Sequence, residues 1–303
     1  MSKTIYAAPA TLGIGAPMAA LVVGALAMGA SPIFVRLADV GPYASAFWRV
    51  ALALPLLYVW MRFEERDTAP PRRFSTPALL AGLAFSGDLF FWHLSIVTTN
   101  VANATFFATT APVWVVLFGW LLFKARASAN VLAGLGLCLC GGALLVAESL
   151  QISARSALGD LYGLATGVFF GLYFLAVQAA RRRASAAQVT FEATAVTAAI
   201  LLVVAIALEP RLLPRSNSGL AALLAMAWVS HAGGQGLLSV ALGRLPAAFS
   251  SLVIFLEAIA AASFAYLILG EPVSEFQALG GVAILLGIFV ARPRAAAQAP
   301  FAG

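Results

Sequence analysis

An all-α membrane fold, with ten transmembrane helices set as two inverted five-helix repeats, is predicted by three observations: composition, recurrent long apolar runs and a sparse internal repeat. Of 303 residues, 62% are hydrophobic and 10% charged, whereas a soluble domain carries about 25% charged residues. The mean hydropathy is +0.96. Too few charges remain to cover a water-facing surface. Apolar runs of about 17 residues or more recur from Met18 to Ala291, each long enough to cross a hydrocarbon core of roughly 30 Å.

The runs predict spans at Met18–Val35, Tyr43–Met61, Ala78–Val97, Val101–Phe123, Val131–Ala147, Leu161–Ala180, Val189–Leu208, Leu220–Leu242, Ala247–Leu269 and Phe276–Ala291. Turn formers separate them, among them Gly41-Pro42, Pro70-Pro71, Glu209-Pro210, Pro214, Asn217 and Pro272. The first run has only Lys3 on its flank and nine spans after it, so it reads as a retained helix and not as a cleaved signal. Cys138 and Cys140 are two residues apart, where a helix points them in different directions, which argues against a disulfide or metal pair.

With the N-terminus in the cytoplasm, thirteen basic residues fall in cytoplasmic segments, from Lys3 through Arg181, Arg182 and Arg183 to Arg294. Outside there are four: Arg36, Arg155, Arg211 and Arg215. This bias predicts a cytoplasmic-membrane protein with both termini inside. The net charge of +6 therefore speaks of orientation, and nucleic acid is not an expected partner.

Shifting the chain by 146 lays Gly134 on Gly280, Gly141 on Gly287 and Ser128 on Ser274. The repeat divides the chain at residues 1–150 and 151–303. A five-span repeat must insert its second copy inverted, an arrangement common in secondary transporters. Glycine stripes at Gly163, Gly167, Gly171 and at Gly134, Cys138, Gly142 are read as helix-packing surfaces. Pro32, Pro55 and Pro112 lie inside spans, where each removes a backbone donor. Pro32 and Pro112 become gating or structural candidates, together with Arg49.

Ionisable groups at membrane depth are expensive and therefore mark candidate sites. Asp88, His231 and Glu257 fall near the centres of their spans, with Arg49 and Glu192 shallower. Helical spacing groups Asp88 with Trp92, and it rotates His93 away toward the outer surface. It also groups Trp228 with His231 and Gln235; Asn103, Phe107 and Thr110 with Trp114; and Tyr162 and Thr166 with Phe169 and Tyr173. The predicted substrate-binding set is Asp88, Trp92, Asn103, Phe107, Thr110, Phe169, Tyr173, His231, Gln235 and Glu257. Each has a plainer alternative: Asp88 as an interhelical partner of Arg49, His231 as a packing histidine, the aromatics as filler.

Phe47-Trp48-Arg49-Val50-Ala51-Leu52-Ala53, Ala111-Pro112, Leu269-Gly270-Glu271-Pro272 and the Gly280, Gly287 helix resemble segments of the drug/metabolite transporter superfamily, in its EamA-type ten-helix branch. The resemblance covers roughly residues 18 to 292. Two departures stand out: Lys124-Ala125-Arg126 replaces a Gly-Glu turn, and Leu256-Glu257-Ala258 lacks a proline. The resemblance implies an exporter or exchanger of metabolites with a central cavity lined by the third, fourth, eighth and ninth helices. The chain is most similar to the amino acid exporters, particularly those for aromatic amino acids.

The expected activity is alternating access around a central site, with no cofactor and no metal, in a monomer whose partners are a small solute and membrane lipid. A phosphate-binding loop is lacking, so ATP on this chain does not power transport. Other readings are a multidrug or other-metabolite carrier of the same fold, a channel, or an intramembrane enzyme. The last lacks Gly-x-Ser-x-Gly and His-Glu-x-x-His motifs.

Overall fold

The computed structural model describes residues 14–65, 74–99, 101–147, 154–269 and 273–293. Among these there is no strand, and ten helical segments have spanning length or nearly so. We number them α1 (Gly15–Leu37), α2 (Pro42–Glu64), α3 (Thr76–Thr98), α4 (101–123), α5 (Ala129–Val146), α6 (Ala154–Arg181), α7 (Ala186–Leu208), α8 (217–242), α9 (247–269) and α10 (Glu275–Ala291). Every predicted span recurs. The largest shift is at α6, which begins at Ala154 where the apolar run suggested Leu161. The Gly270-Glu271-Pro272 turn lies outside the described residues.

Short links require well-capped helix ends, because the first amides of a helix have no partner within it. Ser128, Ser185, Ser216 and Ser274 each accept a hydrogen bond from the amide three residues on. Ser128 and Ser274, the pair aligned by the repeat, thus open α5 and α10 in the same way. At the end of α4, Lys124 takes the left-handed conformation at φ 55°, where the resemblance placed a glycine and where glycine carries no steric penalty.

Apolar side chains cover the outside, for example Leu83, Leu122, Val203, Leu285 and Phe289, all exposed. Lipid offers no hydrophobic drive between helices, so close backbone approach at small residues does the work. Along the α5–α10 seam Gly134 meets Gly287 and Gly141 meets Gly280. A Cβ on Gly134 would come 2.5 Å from the Gly287 carbonyl oxygen, and one on Gly141 2.6 Å from that of Gly280. The residues matched by the repeat exchange partners across the seam, as a twofold axis in the membrane plane requires. Cys138 lies between them, its thiol directed at the Ile284 carbonyl at 3.6 Å, while Cys140 is exposed.

The α6 stripe faces α4: Gly163 adjoins Phe107, Gly167 adjoins Thr110, and Gly171 adjoins Trp114. Gly87 of α3 leaves the space filled by the Phe169 ring, which stacks on Phe91 with centroids 5.6 Å apart.

Five spans are locally irregular at mid-depth. At Ala30, Leu52–Ala53 and Thr109–Thr110 the helix tightens just ahead of Pro32, Pro55 and Pro112. Three-residue bonds bridge these points, such as Ile33 N to Ala30 O at 3.2 Å and Thr110 N to Phe107 O at 3.2 Å. In α9 the same tightening occurs at Ile254–Phe255, with Glu257 N to Ile254 O at 2.8 Å. The missing proline is therefore not needed to break the second half. In α8, Met226–Gln235 widens into a π-helix, a rare form that is frequent at functional sites.

Both ends of the bundle are tied. At one, Tyr43 N donates to Glu209 Oε1 at 2.9 Å, Trp48 Nε1 to Leu212 O at 2.7 Å, and Arg215 N to Asp39 Oδ2 at 3.0 Å. At the other, Ala187 N donates to Glu64 Oε2 at 3.1 Å and Arg181 Nε to Ser239 O at 2.9 Å. Arg62, Lys124, Arg126, Arg182, Arg183, Arg244 and Arg292 gather at this second end.

The seam makes Gly141→Ala destabilising by about 1–3 kcal/mol through overpacking against backbone, read as a lower melting temperature in detergent. Gly136→Ala, on the same helix with open space around it, should leave the melting temperature equal or raise it. The Asp39 carboxyl is pulled upward by desolvation, but hydrogen bonds from Ser216 and the Arg215 amide outweigh this and hold it below its ordinary 3.8. Because the folded value is the lower one, the clasp is fully stabilising above pH about 4 and weakens as pH falls below it. Melting curves of wild type and Asp39→Asn should converge on acidification.

Candidate functional site

At mid-depth a small cavity is enclosed by α1, α2, α3, α4, α6, α8 and α9. Its charged and polar lining is Arg49, Asp88, Glu257, Gln235, Thr166 and Ser31. Apolar walls come from Met28, Leu89, Trp92, Ala108 and Phe170. The cavity volume is about 30 Å³, room for about one water molecule. Small-molecule sites measure roughly 300–1,000 Å³, so the cavity as it stands is too small for a metabolite.

On five of the seven helices around the cavity, the lining groups sit beside a helix irregularity. Met28 and Ser31 flank the break at Ala30, and Arg49 lies one turn ahead of the break at Leu52–Ala53. Ala108 precedes the break at Thr109–Thr110, Glu257 follows that at Ile254–Phe255, and Gln235 closes the π-helix. Only α3 and α6 run through unbroken, bringing Asp88, Trp92, Thr166 and Phe170.

The charges are held near one another without closing. Arg49 interacts electrostatically with Asp88 and Glu257, but neither carboxylate is within 4.0 Å of it; among the described residues that distance is met by Arg62 and Glu65 at 3.6 Å. The Arg49 guanidinium lies over the Trp92 ring, 5.2 Å from its centroid, a cation–π contact. Arg49 Nε, Glu257 Oε1, Gln235 Oε1 and Ser31 Oγ are buried without a hydrogen-bond partner. An unsatisfied buried polar group costs about 1–3 kcal/mol, and more when charged. Four such groups on one cavity favour its occupation by water or by a polar solute.

Of the predicted binding residues, Asp88, Trp92, Gln235 and Glu257 come together here. Tyr173 lies behind them, buried, interacting with Asp88 and Arg49, its ring tilted against that of Phe85 at 4.7 Å. Arg49, which the sequence suggested to be shallow and structural, is 5% exposed and lines the cavity. Pro32 and Pro112 set the adjoining breaks.

The remaining predicted residues are elsewhere. His231 shares a hydrogen bond with Thr194 Oγ1 at 2.9 Å and packs its ring, tilted, against Phe85 at 5.3 Å, outside the cavity lining. The α-helical spacing that joined it to Trp228 fails because the segment is a π-helix. Trp228 is 52% exposed, and its indole donates to the Leu52 carbonyl at 3.1 Å, beside the break in α2. Phe107 and Thr110 lie on the α4–α6 glycine seam, and Phe169 on Gly87. Asn103 Nδ2 and Thr99 Oγ1 donate to Asp160 Oδ1 at 3.2 and 2.9 Å near the ends of α3, α4 and α6. His93 is fully buried, with Nδ1 at 2.8 Å from the Leu89 carbonyl. Ser31, Thr166 and Phe170 were not in the predicted set. Thr166 and Phe170 share a face at spacing four, and Ser31 precedes a proline; Met28, Leu89 and Ala108 carry no comparable signal.

Fold and cavity together define a polytopic helical membrane protein with a charged cavity at mid-depth. The model of the EamA-like transporter family matches residues 15–147 and again 157–292, and the chain belongs to that family of transporters. Two proteins of Archaeoglobus fulgidus, each an uncharacterised transporter, are similar to it. One is 26% identical over 268 residues, covering 85% of this chain and 91% of its own. The other is 26% identical over 275 residues, covering 90% and 95%. A crystal structure 16% identical in sequence superposes with a TM-score of 0.79, over 92% of this chain and 98% of that one, and shows the same fold.

His231 is held by Thr194. Thr194→Val should leave it unpaired and lower stability by about 1–3 kcal/mol, measured by thermal unfolding in detergent.

Proposed function

We propose that the chain carries small zwitterionic metabolites, foremost amino acids, by alternating access around the central cavity, and that in the cell it exports or exchanges them. The observation that carries this reading is the charge arrangement: one guanidinium and two carboxylates, unpaired, face a common cavity. Arg49 suits the carboxylate of an amino acid, Asp88 and Glu257 its ammonium, and Trp92 and Phe170 an apolar or aromatic side chain. The family resemblance to aromatic amino acid exporters supports the same class.

Movement comes from two repeats, residues 1–150 and 151–303, rocking about the cavity. The double family match and the exchange of glycine partners on α5 and α10 support this division. Inverted repeats place their site near the midplane, where this cavity lies. The arginine-rich end is the cytoplasmic one by the positive-inside rule, which puts both termini inside and the protein in the cytoplasmic membrane, as a monomer. Two carboxylates against one arginine favour a second reading, an organic-cation carrier stacked on Trp92.

Counterflow in proteoliposomes decides between these. A panel of radiolabelled neutral amino acids and quaternary amines is offered to vesicles preloaded with the unlabelled compound. Amino acid counterflow is expected, and Arg49→Gln and Asp88→Asn should each reduce it by at least about tenfold, the loss of one charge-assisted hydrogen bond. Counterflow of amines alone, with Arg49→Gln intact, would favour the cation carrier. Unchanged rates in both variants would take the cavity out of the solute's path.

A further inference from the structure

A second cavity, of about 340 Å³, opens at the arginine-rich end, between α5, α9, α10 and the links before α5 and α9. It is separate from the central site and shares no lining residue with it. Arg126, Ser128, Asn130, Pro246, Phe249 and Arg292 face it, and no carboxylate does. Among the described residues neither arginine has an ion pair within 4.0 Å; Arg292 rests on the Phe289 ring at 4.1 Å. The first turn of α5 lines the same cavity and adds the partial positive charge of a helix N-terminus.

The surroundings are apolar. Leu122 and Phe123 at the end of α4, and Phe289 near the end of α10, are exposed where lipid would lie. Two guanidinium forks match phosphate oxygens in shape as well as charge. Basic pockets between helices at the cytoplasmic surface suit phospholipid headgroups. We infer that this cavity binds the headgroup phosphate of an anionic phospholipid, with its acyl chains along Phe123 and Phe289. A free phosphate ion would satisfy the arginines but leave the apolar flanks without a partner. The bound lipid bridges α5 and α10 to the short first half of α9, Ala247–Val253, just before the break that carries Glu257 to the central site.

Native mass spectrometry of the purified full chain, titrated with phosphatidylglycerol or phosphatidylcholine, tests the assignment. The wild type should retain phosphatidylglycerol in preference. Arg126→Gln should weaken it about fivefold and the double variant Arg126→Gln/Arg292→Gln about thirtyfold, at roughly 1 kcal/mol per arginine. The charge-matched double variant Arg211→Gln/Arg215→Gln, at the opposite end, should bind as the wild type does. Melting temperature confirms that each variant is folded, and the single variant serves if the double one is not. Equal retention of phosphatidylglycerol by wild type and a folded variant overturns the site, as does equal binding of phosphatidylcholine. Displacement by millimolar inorganic phosphate overturns the lipid assignment in favour of a free-anion site.

Discussion

Within lipid a helix has no water to satisfy a backbone group that its own ladder leaves free, so irregular backbone survives only against protein or a wet interior. In this chain the irregularities are not scattered. Four breaks and a π-helix fall at mid-depth in α1, α2, α4, α9 and α8, and each has a cavity-lining residue within about a turn. The same constraint acts on charge, because a carboxylate or guanidinium facing acyl chains is costly. Breaks and charges therefore collect in one place for one reason, and what they leave between them is a small cavity.

The two continuous helices at that place, α3 and α6, form the fixed wall. Gly87 lets Phe169 seat on α3, and the α6 stripe lets α4 approach to backbone contact. The broken helices form the other walls. Tightened turns in α4 and α9 fall at positions equivalent by the repeat to within a residue, one beside Pro112 and one without a proline. Backbone geometry is kept where the residue that produced it is not. Beside Ala258, the position matched to Pro112, Glu257 holds a carboxylate at the start of the second half of α9, in the first turn where a helix dipole tolerates it.

Span positions were legible because an apolar run of the right length has few other uses, and the serine caps and the glycine seam followed from residue types with narrow roles. Asp88, Glu257, Trp92 and Gln235 were legible as neighbours on one cavity because polar groups at half-depth need a reason. The α4 face failed for a physical cause: Asn103, Phe107, Thr110 and Trp114 share a face at helical spacing, but so do Gly163, Gly167 and Gly171 opposite them, and two matching stripes make a packing seam. His231 and Trp228 were joined by counting 3.6 residues per turn through a segment that does not keep that period. Arg49 was misjudged by depth alone. Distance along a span does not say which way a side chain leans, and this one turns inward over Trp92.

The small volume, about 30 Å³, has a consequence for how the cavity can open. Arg49, Gln235, Glu257 and Ser31 already lack partners, so widening the space exposes groups that gain by hydration or by a solute, and the polar side of the change is favourable. What resists widening is the apolar contact of Met28, Leu89, Trp92, Ala108 and Phe170 across the gap. A solute with charged groups for the first set and an apolar part for the second replaces both kinds of interaction at once, whereas water replaces only one. For the proposed carrier, an amphiphilic molecule is therefore the solute that matches both halves of the cavity lining.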